Sequence, residues 1–171
     1  MATDDDPTYH VSPSTPSVDH AIQALLRDHD LVRKLADTYR SSNSMEVKKQ
    51  AATQLLQAIH THSRLEESVF YPSVRRVEPN LIAHFEEAHL EVDDLLATLQ
   101  GMALDDRAAE PLLEVMIAAV LGHIDEEETE LFPQLQHAAI DMTPIGLEMQ
   151  AFEANLVHLQ AQISDRLARR S

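Results

Sequence analysis

Four stretches of this chain carry apolar residues at alternating steps of three and four, and in each the stripe is interrupted near its middle by histidine, or by histidine and glutamate. That spacing is the 3.6-residue period of one helix face. The chain must therefore bury polar, metal-competent side chains along the inside of a helical bundle. The first stripe runs Ile22, Leu25, His29, Val32, Ala36 and Tyr39, within a helix expected from about Ser17 to Arg40. The second runs Val47, Ala51, Leu55, Ala58, His62, Glu66 and Val69, and opens at Asn43 with Glu46 three residues on, a capping-box-like start. Pro79 and Asn80 open the third, whose seam holds Leu81, Phe85, His89, Val92, Leu96 and Leu99, with Gly101 where a C-cap glycine would stand. The fourth begins near Ala109, tolerates Pro111 in its first turn, and carries Leu113, Met116, Val120, His123, Glu127 and Leu131.

Composition agrees with this reading. Three glycines, few aromatics and no strictly alternating segment leave little material for hairpin turns or strands, so an all-α fold is expected. A length of 171 residues with 44% hydrophobic content fits one globular domain. Residues 1–17, with Pro7, Pro13 and Pro16 among Ser, Thr and Asp, read as a flexible leader. The bundle is expected over 18–137. Pro144 and Gly146 then precede an additional amphipathic helix over 144–169, with a narrow stripe of Phe152, Leu156, Leu159, Ile163 and Leu167 that suits covering the bundle or pairing two copies as a homodimer. With 29 acidic against 13 basic residues the net charge is −16, which repels phosphate backbones and anionic membranes; no nucleic acid and no membrane partner is expected. The absence of cysteine excludes thiol catalysis, Cys-ligated zinc and iron–sulfur sites. The acidic N-terminus and the lack of an apolar run of about 18 residues point to a soluble, cytoplasmic protein.

Four imidazoles and two carboxylates converge in one cross-section of the bundle, and no Lys or Arg lies on the four seams. A single buried histidine is ordinarily a hydrogen-bonded core residue. Six such groups without a cation cost on the order of several kcal/mol in desolvation, and a metal held by nitrogen and oxygen removes that cost. The segments His62-Ser-Arg-Leu-Glu66-Glu67-Ser-Val-Phe70-Tyr71-Pro72 and His123-Ile-Asp-Glu-Glu127-Glu128-Thr-Glu-Leu131-Phe132-Pro133 are in identical register, and His29-x-x-Val32-x-x-Leu35 matches His89-x-x-Val92-x-x-Leu95. The chain thus reads as two similar helical hairpins, each giving one histidine from its first helix and a His-x-x-x-Glu pair, stacked on one face, from its second. Their local two-fold relation suits two metals.

This ordered set of His, His-x-x-x-Glu, His and His-x-x-x-Glu resembles the hemerythrin-like HHE cation-binding domain, over roughly residues 18 to 137. The resemblance implies an up-down-up-down four-helix bundle and two iron ions, bridged by oxo or hydroxo. His29, His62, His89 and His123 would be terminal ligands, and Glu66 and Glu127 bridging carboxylates. Zinc or manganese fits the same ligand types. The chain departs from the oxygen-carrying members, which use a His-x-x-x-His pair on the third helix: Phe85 stands four residues before His89 and Asp93 four after, while His84 is turned about 140° away. The four-His, two-Glu set is similar instead to bacterial members linked to nitric oxide and peroxide chemistry, iron-centre repair or iron sensing.

Four histidines, two bridging carboxylates and one oxygen bridge fill about ten of twelve octahedral positions, leaving about one open position per iron. The expected function is reaction with a small oxygen or nitrogen species (peroxide, nitric oxide or O2). The alternative is a non-catalytic iron or oxygen sensor. A ferritin-like centre is weaker, since only Glu86-x-x-His89 has the Glu-x-x-His form. Glu86 is by default a solvent-facing residue, with approach to the centre as an extra ligand or as an acceptor behind a histidine as the alternative, and Glu67 and Glu128 are expected on the surface. Tyr39 and Tyr71 are expected in packing roles, with a phenolate ligand as the alternative. Gly122 suggests either close helix packing or a path for a small ligand.

Overall fold

The computed structural model describes residues 20–170; the expected leader, residues 1–17, lies outside the described residues. The elements in order are α1 (His20–Ser41), α2 (Met45–Leu65), π1 (Glu66–Phe70), α3 (Tyr71–Val74), α4 (Pro79–Gln100), α5 (Ala109–Glu126), π2 (Glu127–Leu131), α6 (Phe132–His137) and α7 (Thr143–Ala168). Among the described residues there is no strand. α2, π1 and α3 run on as one rod, as do α5, π2 and α6, so α1, the first rod, α4 and the second rod make the expected up-down-up-down bundle. α7 is the added C-terminal helix.

Local chemistry places the helix ends close to where the sequence suggests, with small shifts. The cap of α2 is Ser44 rather than Asn43: its hydroxyl oxygen accepts from the Val47 amide at 3.4 Å. Pro79 sits in the first turn of α4, where the missing N–H costs nothing. Gly101 does occupy the C-cap of α4, but at φ −86°, so its freedom to adopt a left-handed backbone is unused. Pro144 and Gly146 lie within the first turn of α7 rather than before it. In α2 the inward stripe is broader than expected: Ala52, Leu56 and Ile59 are buried, while Val47 is 40% exposed. On α4 Ile82, not Leu81, is the buried residue of its pair.

The core forms two apolar clusters. One gathers Val32, Tyr39, Leu55, Leu99, Leu113 and Ile117; the other gathers Ile22, Leu25, Phe70, Phe85, Leu131 and Leu135. Each seam passes from one cluster to the other at its histidine. The seam polar residues therefore form a layer between two dry halves, where interior packing holds side chains to single rotamers. The first half of α7 covers the bundle through buried Ile145 and Met149, and its later stripe residues Leu159 and Ile163 are exposed. Among the described residues, no helix is long and apolar enough to cross a membrane.

Candidate metal centre

Both rods widen at the same register. Glu66 begins π1 and Glu127 begins π2, and each wide turn is followed by a proline, Pro72 or Pro133, at the second residue of the next helical segment. A proline inside an α-helix would clash with the carbonyl four residues back and lacks the N–H to bond it. A turn closed at i+5 relieves that conflict, as the Tyr71 amide donates to the Glu66 carbonyl and the Phe132 amide to the Glu127 carbonyl. The widening also rephases the helix face. Glu66 and the residue five positions on, Tyr71, come to the same side, whereas in an α-helix they would be about 140° apart.

The six predicted residues do meet. His29, Glu66 and Glu127 are fully buried, and His62, His89 and His123 are at most 8% exposed. Two groups of ligand-type atoms form, one from His29, His62, Glu66 and Glu127 and one from Glu66, His89 and His123. In the first, His29 Nε2 stands 3.2 Å from His62 Nε2 and 3.3 Å from Glu127 Oε2, and His62 Nε2 stands 3.1 Å from Glu66 Oε1. In the second, His89 Nε2 is 2.9 Å from His123 Nε2 and 3.2 Å from Glu66 Oε2. Glu66 gives one oxygen to each group, the disposition a bridging carboxylate needs.

A family model, the hemerythrin HHE cation-binding domain, matches residues 20–135. The chain belongs to this family. The crystal structure of a hemerythrin HHE cation-binding domain-containing protein from Mycobacterium kansasii is similar in fold, with a TM-score of 0.61 at 20% identity over 84% of this chain and 91% of that one. Among curated proteins, none matches the sequence.

Three of the imidazoles in this HHE centre are held from behind. His29 Nδ1 is 2.9 Å from Glu128 Oε1, His62 Nδ1 is 3.1 Å from Asp28 Oδ2, and His89 Nδ1 is 3.1 Å from Glu67 Oε1. Glu67 and Glu128, expected on the surface, are thus half-buried partners of the histidines, each reaching from one hairpin to the other. Arg33 grips Glu128 with two nitrogens, both at 2.9 Å. His123 Nδ1 is buried without a hydrogen-bond partner. The repeat explains this, because the position equivalent to Asp28 is Ala88.

Carboxylates at Nδ1 assign the ring proton to that nitrogen, so three Nε2 lone pairs face one another and the inner carboxylates. Acceptor then meets acceptor. Glu66 Oε1 and Glu127 Oε2 have no hydrogen-bond partner despite full burial, although imidazole nitrogens stand close by. Such a cluster needs cations, either extra protons or metal ions, and a donor set of imidazole and carboxylate fits metals. Burial opposes extra protons, yet Glu66 and Asp28 hold His62 well above the ordinary imidazole value, and Glu66 with Glu67 lifts His89 to about 9. Glu66 is correspondingly held well below the usual carboxylate range, against its burial, by His62, His123 and His89.

Sequence reasoning underplayed one residue. The hydroxyl of Tyr71, a fully buried side chain, donates to Glu127 Oε1 at 2.6 Å and lies 3.1 Å from Glu66 Oε2. Burial, then the charges of Glu66 and Glu127, push this phenol well above its ordinary value in the metal-free protein. The available signal was the repeated Glu-x-x-x-x-aromatic-Pro, which marks both wide turns. Tyr39, by contrast, packs in the core under the Lys48 ammonium, 4.7 Å from the ring centre. Glu86 pairs with Arg75 and His84 with Glu126 near the surface, and neither they nor Asp93 belong to the two ligand groups. Gly122 is exposed, and a Cβ there would meet nothing within 4 Å, so neither close packing nor a ligand path accounts for it.

Two spaces adjoin the centre. A void of about 10 Å³ touches His62, His89 and His123 and is otherwise walled by Ser63 and the apolar Val32, Ile59, Val92, Val120 and Ile124. A cavity of about 460 Å³ lies between α1, α2 and α7 and reaches Asp28 and His62.

Proposed function

We propose that this chain is a non-haem di-iron protein that reacts with peroxide, nitric oxide or O2. His29 and His62 would hold one iron, His89 and His123 the other, and Glu66 and Glu127 would bridge them. The observation that carries this reading is the face-to-face set of four Nε2 atoms and two fully buried carboxylates, a cluster without Lys or Arg in which three of the four imidazoles are backed by an acceptor. Bound iron would supply redox chemistry and a binding position for the small species. The chain itself supplies the rest. The Nδ1 acceptors fix ring orientation and raise the basicity of Nε2. The void walled largely by valine and isoleucine has, at about 10 Å³, near the room one water requires, which selects for a molecule of two or three atoms. The larger cavity beside His62 gives such a molecule an approach from outside.

Purification from iron-replete cells, followed by metal analysis and near-ultraviolet oxo-to-iron absorption, tests the centre. Two irons per chain are expected, lost in His62→Ala and His123→Ala; fewer than one metal per chain after reconstitution would overturn it. Turnover of peroxide or nitric oxide by the reduced protein supports the reactive reading. O2 uptake that reverses on degassing, without turnover, would replace it with a binder or sensor.

A further inference from the structure

The two hairpins match in sequence at every seam ligand, but not at the aromatic residue that follows each wide turn: Tyr71 in the first is Phe132 in the second. Phe132 lies flat against the His29 ring, centroids 5.9 Å apart and planes 7° off parallel, and offers no donor atom. Tyr71 is held by Phe85 on its ring, and its oxygen points into the His89 group. Tyr71 Oη is 3.2 Å from His89 Nε2, 3.4 Å from His123 Nε2 and 3.1 Å from Glu66 Oε2. The other three separations among these four atoms are 2.9 Å (His89 Nε2 to His123 Nε2), 3.2 Å (His89 Nε2 to Glu66 Oε2) and 3.9 Å (His123 Nε2 to Glu66 Oε2). Donors at roughly 2.0–2.2 Å from a shared ion stand about 2.9–3.6 Å from one another. The phenol oxygen therefore closes a four-cornered cage in which five of the six edges have the lengths that a common metal imposes, and only the His123 Nε2 to Glu66 Oε2 edge, at 3.9 Å, is longer.

We propose that Tyr71 is a ligand of the metal held by His89 and His123, so that the two metal sites are chemically unequal. This rests on the di-iron reading above. On metal binding the Tyr71 O–H bond is replaced by an O–metal bond, the proton is released to solvent, and no electron moves. The anionic oxygen favours the oxidised state of that metal and takes the position that would otherwise be open on it. The metal at His29 and His62, where the equivalent side chain is Phe132, keeps its open position, and the 460 Å³ cavity reaches His62 on that same side. The small reactant therefore meets the His62 metal.

The test compares iron-loaded, oxidised wild type with Tyr71→Phe and Tyr39→Phe, measuring iron per chain, visible absorption and resonance Raman spectra. Wild type and Y39F should both show a phenolate-to-iron charge-transfer band with enhanced tyrosinate vibrations. Y71F should lose both signals completely while keeping two irons per chain and its helical circular dichroism. Two irons in wild type without a phenolate signature, or a signature surviving in Y71F, overturns the ligand. Failure of wild type to load two irons overturns the centre itself, and the ligand with it. Should Y71F misfold, the presence or absence of the tyrosinate vibrations in wild type and Y39F still decides.

Discussion

The two halves of the centre are built from one repeated sequence and are supported differently. On the His29 side both imidazoles have an acceptor behind them, Glu128 and Asp28, and Glu128 is itself gripped by Arg33. On the His89 side only His89 has one, Glu67, whose guanidinium neighbour Arg64 stands 3.7 Å off; the position equivalent to Arg33 is Asp93. His123 has none, and Tyr71 fills the inner corner instead. A ligand set that looks symmetric in sequence is thus set in unequal surroundings, and the inequality comes from three positions outside the ligand motif: 28/88, 33/93 and 71/132. Second-rank contacts of this kind orient imidazoles and tune a metal's affinity, so the halves should differ in affinity and in redox behaviour.

Substitutions can break or sharpen that comparison. The largest effect is expected from Glu66→Gln, because this carboxylate alone has an oxygen in each group: iron content should fall from two per chain to one or none, read by metal analysis. Asp28→Ala should weaken the His62 metal about 10- to 100-fold by titration, with the His89 metal unmoved, whereas Ala88→Asp should tighten the latter by giving His123 an acceptor. Equal responses at both metals would show that the halves act as one. Gly122 stands in the second hairpin where the first has Thr61, inside α5 and with open space around its Cβ position. Gly122→Ala should therefore raise stability by about 0.5–1 kcal/mol in denaturant titration without changing iron content.

The smallest effect is expected at the Arg75–Glu86 pair, whose equivalents on the other half, Gln136 and Leu26, form no such bridge. The hydrogen bond from Arg75 lowers the Glu86 pKa, with burial opposing. A depressed carboxylate stabilises the fold above its ordinary pKa and loses that contribution as pH falls through the lowered one. The melting-temperature gap between wild type and Glu86→Gln should accordingly be small at neutral pH and close as pH falls through the lowered Glu86 value; a gap that widens in acid would reverse the sign of this assignment.

How much of this was readable without coordinates follows from the range of the physics involved. The bundle and the six inward residues were legible because helical periodicity is local: a residue's place on the buried face is written in spacings of three and four, and His29, His62, Glu66, His89, His123 and Glu127 all keep that phase. The broader α2 stripe and the Ser44 cap shifted details only. Glu67 and Glu128 were misplaced because an α-helical wheel turns them from the seam, while in the fold each reaches a histidine of the other hairpin, in one case across 99 residues of sequence. Tyr71 does pack in the core, as expected, but the reach of its hydroxyl to Glu66 and Glu127 was hidden because π1 breaks the 3.6-residue phase just where its side chain is aimed. The sequence by itself therefore determined the helices, their repeat and a nitrogen-and-oxygen core, since these depend on neighbours along the chain. Only the tertiary structure decided which carboxylate backs which imidazole and where the phenol stands, since these depend on helix phase after the wide turns and on side chains meeting from opposite hairpins.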